Sequence, residues 1–85
     1  MRYSIEFVPS ARRALAKLPL PMRKRIQVAI DDLADNPFPP GVKKLQGEDD
    51  GYRIRVGDYR VIYEVEHGRL TVLVIRIGHR REVYR

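Results

Sequence analysis

The chain has 85 residues, 44% hydrophobic and 33% charged, a balance that makes one small globular domain over residues 1–85 and excludes a disordered chain. Seventeen basic residues against eleven acidic give a formal charge of +6, which points to an acidic partner such as nucleic acid. With no cysteine, neither a disulfide framework nor a thiolate zinc site is possible.

The N-terminus alternates Tyr3, Ile5 and Phe7 with Ser4 and Glu6, so it reads as a strand with one buried face rather than a signal peptide. Pro9-Ser10 offers a helix start, and Ala11, Ala14, Leu15 and Leu18 follow at helical spacing. Leu18-Pro19-Leu20-Pro21 must break that helix, because each proline removes a donor and clashes with the preceding turn. Pro21 is placed to open a second helix, in which Met22, Ile26, Ala29, Ile30 and Leu33 make one apolar stripe. The two form a helical hairpin.

Asn36-Pro37-Phe38-Pro39-Pro40-Gly41 ends the second helix and begins a loop expected to run, without regular structure, to about Gly51. Within it Lys43 and Lys44 could add to a basic rim, apart from the acidic Glu48-Asp49-Asp50. From there the period is two. Strands are expected over 52–56, 59–66 and 69–77, joined by tight turns at Gly57-Asp58 and His67-Gly68. The order β-α-α-β-β-β predicts an α+β fold, an antiparallel sheet with the helical hairpin packed on one face. The longest apolar run, Val72–Ile75, is far too short to cross a bilayer. A cytoplasmic protein with no membrane partner is the expectation.

Alternation assigns the faces. Tyr52, Ile54 and Val56 point one way and Arg53 and Arg55 the other; in the next strand Tyr59, Val61, Tyr63 and Val65 oppose Arg60, Ile62, Glu64 and Glu66. If the apolar sets pack under the helices, Arg53, Arg55 and Arg60 converge on the open face. Residues 51–85 hold eight arginines, no lysine and four acids. Exclusive arginine favours planar, bidentate contacts to phosphate or carboxylate.

Metal-assisted hydrolysis finds no spacing that gathers ligands, and no phosphate-binding glycine loop or nucleophilic serine motif occurs. No cofactor is implied. Metal-free RNA cleavage remains: the 2′-hydroxyl attacks its own phosphate, while the protein stabilises the added charge and moves two protons. Fixed arginines meet the first need. His79 and Tyr84 are the candidate proton movers, and a cationic pocket would lower the pKa of both.

Three stretches, Lys44-Leu45-Gln46-Gly47, residues 52–64, and Gly78-His79-Arg80-Arg81-Glu82-Val83-Tyr84, closely resemble the RelE toxins of the RelE/ParE superfamily of bacterial toxin–antitoxin systems. The resemblance covers essentially the whole chain. It implies a ribosome-dependent endoribonuclease that enters the A site and cleaves mRNA by 2′-hydroxyl attack. It also implies a cognate antitoxin that wraps the toxin, with operator DNA bound only through the toxin–antitoxin complex. By motif match, Arg53 and Arg55 take the paired basic positions. Arg60 matches the phosphate-stabilising arginine, Arg80 the later catalytic arginine and Tyr84 the base-stacking or proton-handling tyrosine. Arg81, Lys43 and Lys44 complete the substrate-binding candidates.

RelE members often carry lysine where this chain has Arg53 and Arg55. Arginine effectively cannot lose its proton, so the proton work shifts to His79 or Tyr84. The sequence stops at Arg85, and direct blocking of the arginine face is the expected mode of inhibition. Two other readings stand beside this one: a ParE-like toxin acting on DNA gyrase, and a non-catalytic nucleic-acid-binding module.

Overall fold

The computed structural model describes residues 2–45 and 51–79. The elements in chain order are β1 (Ser4–Phe7), α1 (Pro9–Ala16), α2 (Leu20–Asp32), β2 (Lys43–Lys44), β3 (Gly51–Val56), β4 (Tyr59–Glu66) and β5 (Thr71–His79). They form one five-stranded sheet in the order β1-β5-β4-β3-β2. The α+β class and the helix-backed sheet stand as expected.

Each helix begins where proline costs nothing. Pro9 opens α1 and Pro21 lies in the first turn of α2, positions whose missing N–H would have had no intrahelical partner. Arg12 lies over the Phe7 ring at 4.7 Å, tying α1 to the strand before it. Buried Ala11 and Leu15 of α1 and Ile26 and Ile30 of α2, followed by Leu33, meet Ile54, Val56, Val61, Tyr63, Val65, Val72, Val74 and Ile77 of the sheet. Those eight strand residues therefore mark the helix-covered face. Tyr63 is wholly buried, and its hydroxyl donates to the Pro37 carbonyl at 2.6 Å, anchoring the proline loop to the sheet. Burial, and next to it Tyr52, pushes the Tyr63 hydroxyl pKa above its ordinary value.

The sheet differs from expectation in three places. First, β1 joins it parallel to β5, with Ile5 opposite Val72 and Phe7 opposite Val74, so the sheet is mixed. The two hairpins fix β3, β4 and β5 in antiparallel sequence. The helical crossover then lets β1 take the remaining edge of β5 in the parallel sense. Second, the expected loop holds a two-residue strand, with Lys43 opposite Arg53 and Lys44 opposite Tyr52. The prolines stop short of it, and β3 offers an unpaired edge. Third, the β4–β5 connection runs over four residues, His67 to Leu70, rather than two, and Leu70 takes a positive φ of 48°. Arg69 is thereby free to bond Glu66 at 2.9 Å and Glu6 at 3.5 Å. β5 also runs two residues beyond its expected end.

No helix among the described residues is long and apolar enough to cross a membrane.

Candidate phosphate-binding face

β3 and β4 meet at a two-residue turn in which Gly57 has a φ of +60° and Asp58 does not, a pattern that suits glycine at the first central position. That turn sets the register. Arg55 stands opposite Arg60, Ile54 opposite Val61, Arg53 opposite Ile62 and Tyr52 opposite Tyr63. Directly paired residues share a face, so Arg53, Arg55 and Arg60 do converge, on the side away from the helices. Lys43 pairs with Arg53 and joins them. Lys44 pairs with Tyr52, which puts it on the other side.

Lys43, Arg53, Arg55 and Arg60 line a groove of ≈ 450 Å³ at the edge of β3. Its other wall is the Pro39-Pro40-Gly41 loop and the end of α2, where Asp32 is the one acid lining it among the described residues. Along this edge Lys43 and Lys44 pair with Arg53 and Tyr52, and the Leu45 N–H donates to the Gly51 carbonyl at 3.0 Å, so among the described residues the groove falls beside the part of β3 beyond Arg53. Arg55 is exposed. Arg60 is half-buried, with Nε inside and Nη1 donating to its neighbour's carbonyl, Tyr59 O, at 3.4 Å. One guanidinium is thus held by packing and the other reaches solvent, both on one surface.

Like charges directly opposite on a sheet cost stability, and this face has two such pairs, Arg55–Arg60 and Lys43–Arg53. An anion between them converts that repulsion into charge-assisted hydrogen bonds, and a phosphate oxygen pair fits the guanidinium fork. The opposite end of the same face is acidic: Glu64 pairs with Leu73, Glu6 with Leu73 from the other side, and Glu66 with Thr71. A polyanion is therefore directed to the arginine end.

His79 does not join the arginines. It ends β5 opposite Tyr59, on the parity of Val61 and Ile77, with the two rings edge-on at 5.7 Å. Arg80, Arg81 and Tyr84 lie outside the described residues. One cation escaped the sequence reading: Arg76 pairs with Ile62 and so belongs to the open face. Among the described residues no group of three or more histidine, aspartate or glutamate side chains could hold a metal ion.

The family model for the ParE toxin of the type II toxin–antitoxin system parDE matches residues 5–84. Toxin RelG of Mycobacterium tuberculosis is 36% identical, spanning 100% of this chain and 99% of its own length. The chain belongs to the RelE family of the RelE/ParE toxin superfamily. The RelE fold is equally plain in the archaeal RelE–RelB complex from Pyrococcus horikoshii. That structure matches with a TM-score of 0.83 and 32% identity over 98% of this chain and 100% of its own. The free Escherichia coli toxin RelE, as a double mutant, gives 0.83 at 26% identity over 99% of this chain and 90% of its own. The family match over residues 5–84 makes this a toxin of a type II toxin–antitoxin system, and its fold carries Arg53, Arg55 and Arg60 on the face the helices leave open.

Proposed function

We propose that this RelE-family toxin is a ribosome-dependent endoribonuclease that cleaves mRNA in the A site. The observation that carries the reading is the Arg55–Arg60 pair, two guanidiniums directly opposite each other on the open face. They hold the scissile phosphate and stabilise the charge that builds on it as the 2′-hydroxyl attacks, the kind of preorganised electrostatics that supplies the largest part of such a rate. Arg53 and Lys43 bind along the groove, and Arg80 and Arg81 supply further charge from the C-terminal motif. Because guanidinium keeps its proton, proton transfer falls to Tyr84. His79 sits on the other face, against Tyr59, and serves the site by fixing the end of β5.

The partner is a cognate antitoxin, as in the RelE–RelB complexes among the solved relatives. It neutralises the toxin by covering the arginine face, and operator DNA is reached through the complex.

In vitro translation with the purified chain, followed by mapping of mRNA 5′ ends, tests the activity. Breaks confined to the A-site codon are expected; intact mRNA on stalled-free ribosomes refutes it. The ParE description of the matching family model supports a second reading, inhibition of DNA gyrase on the same scaffold. Loss of gyrase supercoiling activity with intact mRNA would favour that reading.

A further inference from the structure

We infer that Arg76 is a further phosphate-binding residue of the open face, put there by a β-bulge, and that it holds the phosphate next to the one between Arg55 and Arg60. The inference rests on the RNA-cleaving reading and extends it.

Simple alternation would bury Arg76. Val72 and Val74 are fully buried on the helix-covered face, and Arg76 is the next residue of that parity. The β4–β5 register breaks between Ile62 and Tyr63: Tyr63 pairs with Val74 but Ile62 pairs with Arg76, so Ile75 is one residue extra. The extra residue reverses the parity. Ile77, 6% exposed, goes to the core and Arg76 turns out to solvent. Re-aiming a side chain beside a functional site is what a bulge accomplishes.

The result is a row across four strands, Lys43, Arg53, Ile62 and Arg76, each paired with the next. Adjacent strands lie ~5 Å apart, so Arg53 and Arg76 stand about 10 Å from each other with Ile62 between them. Half-buried Ile62 is an apolar rest for a base between two cations. Gly78 stands opposite Arg60 and puts no side chain between Arg60 and Arg76. No ion pair joins Arg76 to an acid among the described residues, whereas Arg69 at the other end of the face is committed to Glu6 and Glu66. Arg76 is thus a charge that the fold has turned outward for an external anion.

The test uses ribosomes programmed with an mRNA carrying, next to the A-site cleavage position, either a normal or an uncharged methylphosphonate linkage. Half-saturating toxin concentration and maximal cleavage rate are measured for the wild type, Arg76→Ala and Arg76→Lys. On normal mRNA, Arg76→Ala should need about tenfold more protein, with a salt slope smaller by about 0.7. Arg76→Lys should keep the slope. The neutral linkage should weaken the wild type by a similar factor and leave Arg76→Ala unaffected. Equal sensitivity of wild type and Arg76→Ala to the neutral linkage overturns the assignment and leaves the cleavage reading intact. Failure of the wild type to cleave overturns both. A lowered thermal midpoint shared by the Ala and Lys variants would mark Arg76 as structural and also overturn it.

Discussion

Arg55 and Arg60 face each other across the β3–β4 hairpin, the first exposed and the second half-buried, on the side of the sheet that the helices leave open. A pair of like charges in direct opposition works against folding unless an anion sits between them. Removing the exposed member should therefore help the fold and harm the function. Arg55→Gln should stabilise by about 0.5 kcal/mol, a rise of a few degrees in thermal midpoint for a domain of this size. It should also weaken mRNA cleavage by tenfold or more. Thermal denaturation beside cleavage kinetics checks the opposed signs; a fall in both would mean Arg55 holds the fold.

Tyr63 gives a prediction about stability and pH. Its hydroxyl is buried and bonded to the Pro37 carbonyl, so Tyr63→Phe should cost about 1–2 kcal/mol. The folded state raises the pKa of this group above its ordinary value near 10. Its contribution is therefore complete below pH ~10 and lost as pH rises beyond that, since the unfolded chain gives up the proton first. Denaturant titrations from neutral to alkaline pH should show the wild type losing this increment while Tyr63→Phe loses less. Parallel curves would refute the assignment.

The β3–β4 turn sets the register of the arginine pair through Gly57 at φ +60°. A methyl group there meets nothing closer than 3.5 Å, so any penalty is conformational rather than steric. Gly57→Ala should destabilise by about 1 kcal/mol. Urea midpoints would reveal it, and an unchanged midpoint would show that the turn tolerates other geometries.

Ile30 lies wholly buried between α2 and the sheet. Ile30→Ala should cost about 2–5 kcal/mol, a large share of what a domain of this size has. Circular dichroism on heating should show a strongly lowered midpoint, whereas an unaltered one would contradict the packing described here.

Much of this was readable from residue order, and the reasons are local. Within 52–56 and again within 59–66 every second side chain is apolar, so the faces of Arg53, Arg55 and Arg60 followed from period two alone. The run from Val72 to Ile77 has no such punctuation, and the bulge at Ile75 was invisible in it. A signal was present nonetheless: Arg76 falls on the parity of Val72 and Val74, and an arginine on a buried parity requires either a partner or a bulge. Lys43 and Lys44 are too few to show alternation, so β2 emerged only from the open edge of β3. His79 is a candidate through the proton chemistry of imidazole, which says nothing of its face; the two further residues of β5 place it opposite Tyr59. The parallel entry of β1 depends on the whole topology and leaves no mark on Ser4–Phe7 themselves.

The most direct measurement is the single-turnover cleavage rate of A-site mRNA on programmed ribosomes by wild type and Arg60→Ala, with folding of both checked by circular dichroism. The Arg55–Arg60 phosphate site predicts A-site breaks by the wild type and a loss of about a hundredfold or more in the folded Arg60→Ala variant. Cleavage by Arg60→Ala at the wild-type rate would contradict it.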